Sequence, residues 1–221
     1  MTHPAYLLAR LNAKNSRFDV GSGGLPELTP TDIAGALAMV PDSVGRDLLC
    51  LRDWPDSFFE VAPRALQRMN NMLMSEWVRR ESAMTDAMLA VAMKGSRAQN
   101  LFAIAHTNRW PSIVVVSMGG LRDRHDIYPK IAPAVIVELV SPNQCNTCTG
   151  RGFVGTRTGP TQCTRCQGSG IIPRGNTQRA EMLGTTESGY RQTWDRVYTW
   201  LLQPCADYLA QAGRQLSQAA A

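Results

Sequence analysis

The sequence predicts a mainly α-helical protein: a helical bundle interrupted by an inserted four-cysteine finger and closed by a C-terminal helix-turn-helix. Three observations predict it. Apolar residues recur at spacings of three and four over a long stretch near the middle of the chain. Four of the six cysteines fall between Cys145 and Cys166, in two matched C-x-x-C units. After residue 176 a small residue, a glycine corner and an apolar lock follow at the spacing of two crossing helices. The chain therefore divides into an irregular arm (1–30), a helical domain (31–140), a finger (141–175) and a helix-turn-helix with a last helix (176–221).

Composition narrows the class. Hydrophobic residues make up 44% and charged residues 19% of the 221 positions, which fits a folded core and argues against disorder. No apolar run approaches the roughly 18 residues a membrane span needs, and Met1 to Arg10 lacks a signal-peptide core. A cytoplasmic protein is expected, with no membrane partner. Its thiols stay reduced, so clustered cysteines point to metal before disulfide.

In chain order, Gly21-Ser22-Gly23-Gly24 with Pro26 and Pro30 make the first 30 residues irregular. Thr31-Asp32 can cap a short helix through Val40, which Pro41 ends. Arg46 to Glu60 is mixed and broken by Pro55. From Ala65 to Lys94, Leu66, Met69, Leu73, Trp77, Met84, Met88 and Val91 form a helical stripe with Pro63 in the first turn and Gly95 at the end. That Met-rich stripe reads as bundle core ahead of an adaptable partner-binding face. Arg97–Thr107 forms a shorter second helix. Pro111-Ser112-Ile113-Val114-Val115-Val116 reads equally as a short buried strand or a helix start. Ile131 to Val140 is a buried helix with Pro133 in its first turn.

The cysteine segment reads Cys145-Asn146-Thr147-Cys148-Thr149-Gly150-Arg151-Gly152 and, 18 residues later, Cys163-Thr164-Arg165-Cys166-Gln167-Gly168-Ser169-Gly170. Each unit is C-x-x-C-x-G-x-G. A C-x-x-C turn aims two sulfurs at one ion, and the glycines allow turns that point backbone amides at those sulfurs. A redox dithiol occurs once and opens a helix, which fits this pattern poorly. Cys145, Cys148, Cys163 and Cys166 therefore predict one Zn2+. It would be structural, because four thiolates leave no open coordination position. Few large apolar groups lie here besides Phe153, Val154, Ile171 and Ile172. The metal, at on the order of 10 kcal/mol, would supply the ordering energy.

Charge is also concentrated here. The net charge is +5, and residues 141–180 hold Arg151, Arg157, Arg165, Arg174 and Arg179 with no Asp or Glu. Such a basic stretch is expected to meet phosphate. Asn176 or Thr177 caps a first helix carrying Ala180 and Leu183 inward. Gly184 makes the corner, and Thr186 caps a second helix with Tyr190, Trp194, Val197 and Leu201 on its buried stripe. Glu187, Ser188, Arg191, Gln192, Asp195 and Arg196 then belong to the DNA-facing set, with Arg and Gln suited to guanine and adenine edges. Pro204 is expected to end or kink that helix, leaving Asp207 to Leu216 as a separate piece. Trp194 and Trp200 read as core.

His3, His106 and His125 have no ligand-like spacing, and no phosphate-binding Gly-Lys loop, nucleophile elbow or convincing carboxylate pair is present. Neither an enzyme nor a small-molecule substrate is expected.

The paired C-x-x-C-x-G-x-G units resemble the zinc modules of J-domain cochaperones. Those carry four repeats beside a His-Pro-Asp signature, and this chain has two repeats and no such signature. The layout resembles more closely the lambdoid bacteriophage Q antitermination proteins, which place one two-knuckle finger before a DNA-binding region. The run Thr193-Trp194-Asp195-Arg196 and the amphipathic stretch to Cys205 share the likeness, which covers about residues 131–210. The resemblance implies zinc on the four cysteines and contact of the 179–196 region with DNA at a late promoter. It also implies loading onto bacterial RNA polymerase to suppress pausing and termination. A zinc-dependent repressor or activator, and a chaperone-like protein-binding module, are the alternative readings.

Overall fold

In the computed structural model the described residues are Leu8, 30–112, 127–156 and 159–220. The rest of the predicted arm, the 113–116 segment, His3, His125 and Arg157 lie outside them. The chain is mainly helical. Helices α1 (Pro30–Met39), α2 (Val44–Asp53), α3 (Phe58–Lys94), α4 (Gln99–Asn108) and α5 (Tyr128–Val140) precede the cysteine segment. That segment holds two short antiparallel pairs, β1 (Asn143–Gln144) with β4 (Ile171–Ile172) and β2 (Phe153–Thr156) with β3 (Gly159–Gln162). Then come α6 (Asn176–Leu183), α7 (Glu187–Gly189), a π-helical turn (Tyr190–Trp194) and α8 (Asp195–Ala219).

Helix α2 is the element the sequence obscured. Ser43 caps it by accepting from the Arg46 N–H at 3.3 Å, and Leu48, Leu49, Cys50 and Leu51 are all buried. Arg46, Asp47, Arg52 and Asp53 interrupt this buried run, and Asp47 lies inside with the leucines, so the apolar period is masked in the sequence. The helix lies along α8, so close that a Cβ on Gly45 would stand 2.2 Å from the Tyr208 carbonyl oxygen. Asp47 is fully buried between them and α3, where it accepts from Arg64 (2.6 and 2.8 Å) and Arg68 (3.0 Å). Three guanidinium N–H bonds replace its lost water.

Three predicted proline boundaries fall elsewhere. Helix α3 starts at Phe58, after a 3₁₀ turn over Pro55–Ser57, so Pro63 lies within it. Helix α5 starts at Tyr128 with Pro129 in its first turn, and Pro133 lies inside. Helix α8 runs through Pro204 to Ala219, merging the two predicted C-terminal pieces. In each case a continuous buried stripe outweighs one missing backbone bond. Along α8 that stripe is Val197, Tyr198, Leu201, Cys205, Leu209, Ala212 and Leu216.

One apolar core joins α1, α2, the first half of α3, α5, α6 and α8. Residues 176–220 thus share their interior with the helical domain. The stripe on α3 divides in two: Met69 and Leu73 are fully buried, whereas Met88 is 55% exposed where α3 runs on beyond the core with α4. Aromatic edges lock the middle of the molecule, Trp110 against Trp200 and Tyr128 against Trp194.

Candidate metal centre and nucleic-acid interface

Each C-x-x-C unit folds as a compact turn, and the two turns repeat one another closely. Thr149 and Gln167 share a φ of +51°, Gly150 and Gly168 lie at +83° and +86°, and Gly152 and Gly170 at +78° and +74°. The hydrogen bonds repeat as well. The Cys145 N–H donates to the Gly170 carbonyl and the Cys163 N–H to the Gly152 carbonyl, each at 2.8 Å. The halves are therefore related by a local two-fold. At its centre a Cβ on Gly152 would lie 2.3 Å from the Gly168 oxygen, and one on Gly170 would lie 2.3 Å from the Gly150 oxygen. The motif needs its last glycine in both copies because two backbones pass there.

The crossing brings four sulfurs together. Cys145, Cys148, Cys163 and Cys166 are all buried, and their Sγ atoms lie within 4.8 Å of one another. Across the two-fold, Cys145 and Cys163 are 3.8 Å apart, and Cys148 and Cys166 are 3.6 Å apart. Tetrahedral thiolates about 2.3 Å from a central ion stand about 3.8 Å from each other, so the spacing fits one metal. No disulfide joins these cysteines. The Gly152 and Gly170 N–H groups donate to Cys148 Sγ and Cys166 Sγ, each at 3.3 Å, the bonds that tune a thiolate ligand. Burial opposes ionisation at Cys145, but the Cys148 and Thr147 amides bring its thiol down to about 6. Burial and its thiol neighbours push Cys148 up to about 11. Four thiols this close ionise together only around a cation. Val154 and Ile172 pack on the cluster from either half.

The finger is tied to the bundle by polar bonds. Arg174 donates to the Ser141 carbonyl at 2.8 Å, and the Asn143 amide donates to Gln178 at 3.0 Å. Between finger and bundle runs a groove of about 530 Å³ lined by residues of both.

The predicted DNA-contact residues separate into three sets. Arg151 and Arg165 are exposed on the finger. Glu187, Ser188, Arg191 and Gln192 are exposed on α7 and the π turn, with Asp195 half-buried beside them. Arg174, Arg179 and Arg196 make bonds within the protein. Arg179 grips the buried Glu138 through two bonds (3.0 and 2.7 Å) and lies over the Tyr198 ring. Tyr198 donates to the same carboxylate at 2.8 Å, and burial raises its phenol above the usual range. Arg196 donates to the Thr107 and Arg109 carbonyls at the end of α4, where a cation complements the helix dipole.

Local geometry around residue 184 follows the sequence closely. Ala180, Leu183, Tyr190, Trp194, Val197 and Leu201 are buried, and Gly184 ends α6 at φ +68°. Thr186 caps α7 by accepting from the Gly189 N–H at 3.1 Å. The cap of α6 is Gly175 in place of Asn176 or Thr177, with the Gln178 side chain accepting the Gly175 N–H at 3.3 Å. The π turn had no sequence signal. Sequence reasoning also missed Glu138, the one charged side chain in the apolar run 131–140 and the partner that binds Arg179.

No helix among the described residues is long and apolar enough to cross a membrane. No protein-family model matches the chain, and no curated protein matches it.

Proposed function

We propose that this chain is a zinc-dependent transcription antitermination factor. It binds double-stranded DNA at a late promoter in the bacterial host cytoplasm, then loads onto RNA polymerase to suppress pausing and termination. The observation that carries the reading is a closed four-thiol centre set directly before a glycine-cornered helix pair with polar residues on its outer face. The closed donor set suits Zn2+ in a structural role. Arg191 and Gln192 stand near the start of the second helix, where a recognition helix meets base edges, and Arg151 and Arg165 supply phosphate contacts. The polymerase partner rests on the likeness to Q proteins. The protein acts by binding, and no bond is made or broken.

In vitro transcription across a terminator tests this. Read-through is expected only with zinc-loaded protein and a template carrying the cognate promoter element. Changed promoter occupancy with normal termination would favour a repressor or activator. A protein-binding module is favoured by one feature, the exposure of Phe153 (55%) and Ile171 (45%) at equivalent positions of the two finger halves. Suppressed aggregation of unfolded chains, with no salt-dependent DNA binding, would support that reading.

A further inference from the structure

Helix α4 has no buried residue. Ten residues of helix with nothing buried are marginal in water, because helices of this length depend on packing. Yet α4 carries Leu101, Phe102 and Ile104 at 56, 36 and 60% exposure, beside Met93 of α3 at 74%. Between the two helices lies a groove of about 680 Å³, floored by Ala83, Ala87 and Ala90 and walled by Leu101 and Ile104. Alanines on one helix and long apolar side chains on the other give a slot wide enough for a further helix.

Charge identifies the occupant. Asp86 stands on the groove rim, while Lys94 and Arg97 stand at the hairpin tip, and all three are exposed. Among the described residues none of them enters an ion pair, whereas Glu76 and Glu81 at the hairpin base hold Arg79, Arg80 and Arg109. A second copy of α3 laid antiparallel, with the two-fold at Ala90, sets each Asp86 level with the partner's Lys94. Arg97, in the turn just past the helix end, adds to the positive charge of the tip. The same register sets Met93 over the partner's Ala87, a long side chain over a small one. Parallel packing would instead bring the two basic tips together.

We infer that the α3–α4 hairpin is a homodimerisation surface, in which two copies pack antiparallel into a four-helix bundle with reciprocal Asp86–Lys94 pairs. The inference is independent of the DNA-binding reading and is tested on the full chain without nucleic acid. Sedimentation velocity over a concentration series is expected to show a reversible dimer. Leu101→Glu with Ile104→Glu should make it monomeric while helical circular dichroism is retained. Asp86→Lys alone should weaken the dimer at least about tenfold, and adding Lys94→Asp should restore it, since the reversed pair forms again. The Cys145→Ser variant should dimerise as the wild type does. A wild-type chain that stays monomeric at high concentration overturns the inference. So does a dimer indifferent to the Leu101, Ile104 and Asp86 changes, or one that the second charge reversal fails to restore.

Discussion

At the centre of the finger a single hydrogen atom matters: a methyl group on Gly152 or Gly170 would strike the opposing knuckle's backbone at 2.3 Å. Both positions also sit at positive φ, which costs an L-residue roughly 1–2 kcal/mol. Gly152→Ala is therefore expected to lower metal affinity roughly tenfold or more, measured by competition against a chelator, with the bundle still folded. Glu138 is the equivalent point in the bundle. Its carboxylate holds Arg179 and Tyr198 in a buried site, so Glu138→Ala strands a desolvated guanidinium. A loss of about 3–5 kcal/mol is expected in denaturant unfolding. These two residues differ in how far the sequence revealed them. The glycines recur in a repeated motif whose chemistry demands them. Glu138 showed only as a lone acid in an apolar helix, which implies a cation but names none of the candidates, because Arg179 lies 41 residues away.

Among the elements, short motifs with local chemistry were legible and long-range packing was not. Gly184, the Thr186 cap and the Tyr190–Trp194–Val197–Leu201 stripe all stand where the spacing put them, since each depends on neighbours within one or two turns. Helix α2 was obscured because charged Arg46, Asp47, Arg52 and Asp53 interrupt its buried run, and the start of α3 because the buried stripe from Val61 to Leu73 carries the helix across Pro63. The surface of the last helix likewise divides by tertiary partner. Arg191→Ala should weaken specific DNA binding by about 1–3 kcal/mol if its guanidinium reads a base edge. Equal weakening on all sequences would make it a phosphate contact. Arg196→Ala, which frees the α4 carbonyls, should instead lower thermal stability and leave the salt dependence of DNA binding unchanged.

For the whole molecule, two interiors imply two unfolding events. The thiol cluster with Val154 and Ile172 is separate from the bundle core. Chelation should therefore raise amide exchange over 141–175 while the bundle melts as before. Loss of the bundle on metal removal would contradict this. Acid acts on the bundle through its paired carboxylates. Arg79 holds Glu76 below its usual 4.5, with Arg80 adding to the effect against burial, and Arg68 holds Asp42 below 3.8. Groups with lowered folded-state values stabilise above their unfolded range, and that stability is lost as pH falls through it. Melting temperature, followed with chelator present throughout, should fall below about pH 4.5. Glu76→Gln should flatten that limb.

Helix α3 belongs to both ends of the protein. Its 37 residues extend about 55 Å as one hydrogen-bonded rod. One end is clamped at Asp47 by Arg64 and Arg68, and the other stands clear of the core. A rod held this way behaves as a lever. Any tilt imposed on the free end would be resisted at that carboxylate, where α3 is pinned to α2.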